Sequence, residues 1–385
     1  MDAADFAEIL DTVRRFVRDE VVPREDEIEQ TDDIPAVLRA QATAMGLFGY
    51  TLPAEYGGLG ATAAEDVRLA IEFGWTTPAF RSMFGTNNGI AGQVFVHSGT
   101  AEQKQRWLPK LVGGAVAAFA LTEAEAGSDP SGLTTKARRV TGPGGVDEGY
   151  VISGAKRFIT NALVADVFIV FARTGEPSDG TKGISAFIVE AGTPGLSVGP
   201  KDHKTGQAGA WTSEVFFDQV KVGPEALVGG VEGVGFAAAM RSLAKGRLHI
   251  AAFCVGMAQR SLHEAVLFAR SNKQGGRPIG EFQLVQALLA ETKAELEAGR
   301  AMVLEAADRY DSGEDRKMGP SCAKLFCAEM AYRAADRAVQ VHGGMGYMRG
   351  VPVERILRDA RLFRIYEGTS EIQKLIIGKA LLAGD

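Results

Sequence analysis

Cysteine is scarce in this 385-residue chain, with only Cys254, Cys322 and Cys327. An odd, sparse set without close pairing argues against a disulfide framework and fits a reducing cytoplasm. The histidines, His97, His203, His249, His263 and His342, are scattered. His263-Glu264 has no second histidine at metal-ligand spacing, so no metal site is expected. No apolar run reaches the roughly 18 residues of a membrane span. LVGGAVAAFAL (111–121) comes nearest and is too short. The start, MDAADFAEIL, lacks the basic-then-apolar order of a signal peptide, so a cytoplasmic location is expected. Positive charge is not in excess: 42 Lys and Arg face 48 Asp and Glu, a net −6. Such a surface does not attract a polyanion as a whole, and nucleic acid is not expected as a partner.

Familiar cofactor and nucleophile signatures are also missing. No G-x-G-x-x-G follows a strand, and no G-x-x-x-x-G-K-[ST] occurs, which removes a Rossmann or P-loop nucleotide site. GLSVG (195–199) does match G-x-S-x-G. That chemistry needs a sharp strand-to-helix turn, whereas PKDHKTGQAG follows here. Ser197 is therefore expected to be an ordinary strand residue.

The composition does supply a core. Hydrophobic residues make up 46% of the chain, and the length suggests two or three compact units. Residues 3–22 carry Phe6, Ile9, Leu10, Val13, Phe16 and Val17 at helical spacing, and Pro23 stops the run. Helical text continues to about 118, broken by the loop PAEYGGLG (53–60). YVIS (150–153), ADVFIVFA (165–172), GISAFIVE (183–190) and SEVFF (213–217) are β-rich and separated by turn text. Helical periodicity returns over 236–271, 281–311 and 320–342. The segregated order predicts an α+β protein. Its expected units are 1–118 helical, 119–232 β and 233–385 helical.

Four segments carry candidate chemistry. FALTEAEAGSD (119–129) offers Thr122, Ser128 and open backbone at Gly127; these suit a polar heterocycle or acyl carrier, and a capped linker is the plainer reading. In GAKRFITNA (154–162), Phe158 and Thr160 would share a strand face, one to cover a flat ring and one to hydrogen-bond it. QVHGGMGYMRG (340–350) has paired glycines that allow close ligand approach or a helix cap. In RIYEGTSEIQ (364–373), Glu367 sits between Tyr366 and Gly368. Partial desolvation would make it a stronger base, and a first-turn acid serving a helix dipole is the alternative.

Together these segments resemble the acyl-CoA dehydrogenase family. GLFGYTLPAEYGGLG (46–60), EQKQRWLPKLVGG (102–114), LTEAEAGSD (121–129), KRFITN (156–161), RPIGEFQ (277–283), QVHGGMGYMRG (340–350) and RDARLFRIYEGTSEIQ (358–373) echo it in order across essentially the whole chain. The resemblance implies an N-terminal helical domain, a central β-barrel-like domain and a C-terminal four-helix bundle. It also implies FAD bound across a subunit interface, usually of a homotetramer, a homodimer being the other arrangement. The implied reaction turns an acyl-CoA into a trans-2-enoyl-CoA. An electron-transfer flavoprotein is the implied electron acceptor.

Residue by residue, the resemblance implies Glu367 as the base. Phe119, Leu121, Thr122, Gly127 and Ser128 match the segment lining the flavin, and Phe158, Ile159 and Thr160 its partner strand. Gln283, Gln340, Gly343 and Gly344 match the part a neighbouring subunit offers to the adenylate half. Thr369 and Glu371 match positions near the cofactor. Ser128, Arg247, Tyr366 and Gly368 match the substrate side. Relatives that place the base on the helix through 243–248 have it at the position of Gly246. Departures are Phe158 for Trp, EAEAGSD for E-P-G-A-G-S-D, Ala244 for an Asp, and Asn272 and Gly275 for an Arg and a Phe. That Arg pairs with the FAD pyrophosphate in the family, so weaker cofactor binding is expected unless Lys273 or Arg277 substitutes. Other readings at this stage are a flavin oxidase on the same fold and a non-catalytic binding relative.

Overall fold

A computed structural model describes residues 2–383. Helices come first: α1 (Ala3–Phe16), α2 (Glu25–Thr31), α3 (Ala36–Ala44), α4 (Ala63–Phe73), α5 (Pro78–Gly85), α6 (Ala91–Ser98) and α7 (Ala101–Val112). A wide turn, Thr86–Ile90, joins α5 to α6. Thr62 and Thr100 start α4 and α7 with reciprocal capping boxes to Glu65 and Gln103, each satisfying two orphan N–H groups.

The β unit holds β1 (Ala117–Ala120), β2 (Lys136–Thr141), β3 (Asp147–Thr160), β4 (Val167–Arg173), β5 (Ile184–Glu190), β6 (Leu196–Val198) and β7 (Thr212–Val222). β1 runs parallel to β4, and β4 antiparallel to β5. β3 lies antiparallel between β2 and β7, with β6 outside β7. β4 is buried along its whole length. Its side chains alternate, as a pleat requires: Val167, Ile169 and Phe171 face the N-terminal helices, while Phe168, Val170 and Ala172 face the β interior. Ser197 is a strand residue of β6, as expected. The β4–β5 connection, Pro177–Gly183, is exposed through residue 182.

Four long helices follow, α8 (Gly235–Ser271), α9 (Gln283–Ser312), α10 (Met318–His342) and α12 (Ser370–Ala383), with the short α11 (Pro352–Ala360) before α12. A hairpin of β8 (Lys273–Gln274) and β9 (Arg277–Pro278) turns between α8 and α9. At 37 residues, α8 is about 55 Å long and reaches from the β unit through the core. Its contact with α4 is backbone on backbone: a Cβ on Gly256 would stand 2.0 Å from the Ile71 carbonyl oxygen. Only glycine permits that approach.

This is the α+β arrangement of helical, β and helical parts that the sequence predicts. Two local readings fail. Residues 117 and 118 belong to a strand rather than to helical text, because β1 pairs with the buried β4. The first helix ends at Phe16 and continues to Arg24 as a widened and then a tightened turn; periodicity alone cannot register such changes of pitch. No helix among the described residues is long and apolar enough to cross a membrane, and all three cysteines are free.

Candidate active site

The loop between α11 and α12 is built as a bent platform. A short turn, Arg361–Arg364, stops where the Ile365 and Tyr366 N–H groups both donate to the Leu362 carbonyl, at 2.8 and 3.1 Å. The backbone then turns left-handed at Glu367 (φ +52°) and Gly368 (φ +90°). Such a φ is natural for glycine and costs a glutamate on the order of 1–3 kcal/mol. The Thr369 hydroxyl accepts from the Ile372 N–H at 3.2 Å, and so starts α12.

That strained turn drives the Glu367 side chain inward, leaving it 10% exposed. One carboxylate oxygen, Oε1, lies 3.5 Å from Arg81 Nη2 on α5. The other, Oε2, is buried without a hydrogen-bond partner. It rests on bare backbone of α8: a Cβ on Gly246 would come within 2.4 Å of it and within 3.3 Å of Ile90. The position that carries the base in some relatives thus faces the tip of Glu367.

Arg81 is itself held in place. Its Nε donates to His249 Nε2 at 2.8 Å, which leaves the imidazole proton on Nδ1. Nδ1 faces Asp66 at 2.8 Å, and the Tyr50 hydroxyl donates to the same carboxylate at 2.7 Å. Burial pushes the Asp66 carboxyl up, but His249, Lys245 and Tyr50 outweigh it and leave it below its usual range. Arg247 lies beside Gly246, buried, with its Nε unpartnered. Burial lowers its guanidinium and Glu367 raises it.

The second wall comes from the β unit. The Glu123 carboxylate accepts the Thr134 N–H (2.6 Å) and hydroxyl (2.8 Å), the Thr135 N–H (3.0 Å) and the buried Lys156 ammonium (2.8 Å). Lys156 also donates to the Leu121 carbonyl, and the Arg157 N–H to the Thr122 carbonyl. These ties bind the 121–126 loop to the end of β3. Burial raises the Glu123 carboxyl, and Lys156 with the threonine donors overturns this, down to about 2. A break in register after Lys156 puts Phe158 at φ +57° with its ring 58% exposed, while Ile159 points into the β core and Thr160 is half-buried. Asn161 ties this end to the turn after α5 through Thr86 Oγ1 and the Ser82 carbonyl. That turn also carries Ile90, which flanks Glu367.

The structure distributes the expected residues over several places. Phe119, Leu121, Thr122, Gly127, Ser128, Phe158, Ile159 and Thr160 lie on the β wall; Gly127 and Ser128 are exposed, and Leu121 is buried. Glu367 and Arg247 meet at α8, whereas the Gly368 carbonyl is held by Lys324 of α10 at 2.7 Å and by Gln373 of α12 at 3.1 Å. Tyr366 packs edge-on against Phe363 at 5.3 Å, toward the core. Thr369 is a cap, and Glu371 is exposed in the first turn of α12. Gln283, Gln340, Gly343 and Gly344 are exposed where α9 begins and α10 ends. In the hairpin, the Arg277 guanidinium stacks on Phe282 at 4.5 Å. Two small hollows described within the fold do not touch Glu367. Among the described residues no group of three His, Cys, Asp or Glu side chains is placed to hold a metal.

Sequence reasoning missed Arg81, His249, Lys156 and Lys324. The signal present for Arg81 and Lys324 was a lone charge in apolar text, as in PAFRSMFG (78–85) and PSCAKLFCA (320–328).

The site thus holds a buried carboxylate on the turn before the last helix, packed on α8; the class of protein, an oxidoreductase of the acyl-CoA dehydrogenase type, follows from the whole chain. Residues 4–115, 118–220 and 233–382 match the N-terminal, middle and C-terminal domains of acyl-CoA dehydrogenase. The chain belongs to the acyl-CoA dehydrogenase family. It is 42% identical over 373 residues to an acyl-CoA dehydrogenase of Bacillus subtilis, covering 97% of this chain and 96% of that one. It is 38% identical over 360 residues to the caffeyl-CoA reductase-Etf complex subunit CarC of Acetobacterium woodii, covering 93% and 92%. Its fold matches the FAD complex of PigA with a TM-score of 0.93 at 29% identity, over the full length of both chains. The family is FAD-dependent.

Proposed function

We propose that this chain dehydrogenates an acyl-CoA thioester between its α and β carbons, with Glu367 taking the α-proton. The observation that carries the reading is the Glu367 carboxylate itself, inward-facing with Oε2 unpartnered. A carboxylate whose free oxygen is kept from water is placed to receive a proton from a carbon acid held beside it. Among the described residues the Glu367 N–H donates to no protein acceptor, so it is free to meet the thioester oxygen as that oxygen gains charge. Arg247 supplies a buried cation on the same side, and Ser128 marks the way to solvent for the CoA arm.

The residues on the β wall fit a flavin. Phe158 is exposed with the Arg157 guanidinium 4.9 Å over its ring, Thr122 and Thr160 are half-buried, and nothing stands within 4 Å of a Cβ at Gly127. FAD held against these residues would supply the acceptor for the hydride that leaves the β carbon. The exposed group Gln283, Gln340, Gly343 and Gly344 is the share one subunit offers to its neighbour's adenylate half, which makes the working form a homotetramer or homodimer. Lys273, next to Asn272, and Arg277, across the same hairpin, are the cations placed to replace the family's pyrophosphate Arg. An electron-transfer flavoprotein is the proposed acceptor, a cytoplasmic route of acyl-CoA breakdown the setting.

The test is Glu367→Gln. Purified E367Q keeps its flavin and loses about 10²–10⁴-fold in dehydrogenation rate, followed as anaerobic bleaching of the flavin band with a panel of acyl-CoAs. Turnover near the wild-type rate overturns the reading.

A further inference from the structure

Lys324 is a buried charge that the mechanism above does not use. It lies in α10 with 0% of its surface exposed. Among the described residues its ammonium makes no ion pair, and it donates to one backbone carbonyl, that of Gly368, at 2.7 Å. A single amide acceptor does not offset the desolvation of an ammonium group. A leucine or methionine would fill the same space without that cost. The partner explains the placement, because Gly368 follows the base directly. The Gln373 amide, fully buried at the start of α12, donates to the same carbonyl at 3.1 Å and to the Glu367 carbonyl at 3.4 Å. The two peptide units after Glu367 are therefore clamped on their carbonyl side by α10 and α12. Fixing them fixes ψ of a residue already held at φ +52°, and with it the direction of its Cβ.

We propose that Lys324 is a positioning residue for the base: its ammonium clamps the Gly368 carbonyl and so aims the Glu367 carboxylate at the substrate's α-carbon. The inference rests on the reading of Glu367 as the base. The groups facing Lys324 are Cys254 and Arg247 from α8, Glu367 from the turn and Glu329 on its own helix. Burial pushes the ammonium down to about 8 and the Cys254 thiol up to about 12. Glu329 is engaged by Arg364 and Ser370 and stays below its usual range. Arginine does not deprotonate in proteins. Between pH 7 and 9 the charge of Lys324 therefore changes while those of Cys254, Arg247 and Glu329 do not.

The test uses flavin-loaded full-length Lys324→Met, Lys324→Gln and Lys324→Arg. K324M removes donor and charge, and kcat falls about ten-fold or more with KM within about three-fold, as misplacement of a base predicts. K324R recovers part of that loss. K324Q restores a donor without a titrating charge, so kcat partly returns while the alkaline limb near pH 8 in the wild-type profile disappears. In the wild type, the 13Cε resonance of Lys324, assigned by its loss in K324Q, titrates near pH 8. K324M with kcat within two-fold of wild type, or an alkaline limb that persists in K324Q, overturns the proposal. Should K324M not fold, the K324Q profile decides alone. The resonance needs no turnover: a midpoint near pH 8 in a protein inert to every thioester would place the failure with the function and not with the buried ammonium, and a Lys324 that titrates as a free amine, at about 10.4, would show that its ammonium is not buried at the Gly368 carbonyl and overturns the proposal.

Discussion

At the scale of single residues the site is a set of contacts that leave no slack. Gly246→Ala illustrates this. In an ordinary helix the change would stabilise by about 0.5–1 kcal/mol. Here the new methyl would stand 2.4 Å from Glu367 Oε2, and the carboxylate must move. The expected outcome is a melting temperature equal to or above wild type with kcat/KM reduced about 100-fold, read by calorimetry and steady-state kinetics on one preparation. Arg81→Met acts in the other sense. It strips a buried carboxylate of its cation and His249 of its donor, since both Arg81 and Glu367 side chains are about a tenth exposed. Breaking a buried pair from one side costs about 3–5 kcal/mol, measurable by urea unfolding. The family resemblance, and not the neighbours Tyr366 and Gly368 by themselves, singled out Glu367 in the sequence, and neither could show what Glu367 touches. Arg81 and Lys324 stand at helical positions that could equally face solvent, and only packing of α5, α8 and α10 decides that they do not.

Among the elements, the 121–126 loop owes its shape to Glu123. Its carboxyl lies near 2 in the folded chain and near the usual 4.3 when unfolded. A group lowered on folding contributes stability above its unfolded value and loses it as pH falls. Unfolding free energy is therefore expected to drop between about pH 4.5 and pH 2, and Glu123→Gln flattens that part of the curve in a pH series of urea melts. Lys156→Met leaves Glu123 buried with no cation and costs about 3–5 kcal/mol. The sequence showed the long elements well: α8, α9 and α10 begin and end within two residues of the periodic stretches, because each buries a continuous apolar face. It showed the short ones poorly. β1 is four residues of Ala and Phe, a composition with no strand preference, and is a strand only because β4 lies beside it. Phe158 and Thr160 do alternate as a strand predicts, but the left-handed kink that exposes Phe158 comes from the misaligned register with β7, which no local pattern records.

For the whole molecule, the described surface keeps large apolar side chains uncovered where the bundle ends. Leu284 is 83% exposed, Tyr347 86%, Met345 57% and Met348 59%. Clustered apolar exposure of this kind marks an interaction surface, and these residues adjoin Gln283, Gln340, Gly343 and Gly344. Leu284→Glu is expected to lower the mass seen by light scattering and to release flavin in the same step; a variant that dissociates yet keeps its flavin would separate assembly from cofactor binding. The three-part architecture was legible because helical and β text are segregated. The way the parts close on one carboxylate was not, since Arg81, Gly246 and Glu367 come from three distant stretches of chain.

The exposed Pro177–Gly183 connection separates those stretches cleanly. A chain severed there leaves Arg81 and Glu123 on one fragment and Gly246, Lys324 and Glu367 on the other. The cut falls between β4 and β5, which pair along seven residues and would guide the fragments back together. Yellow colour regained on mixing two colourless halves would then serve as a reporter of reassembly, readable by eye.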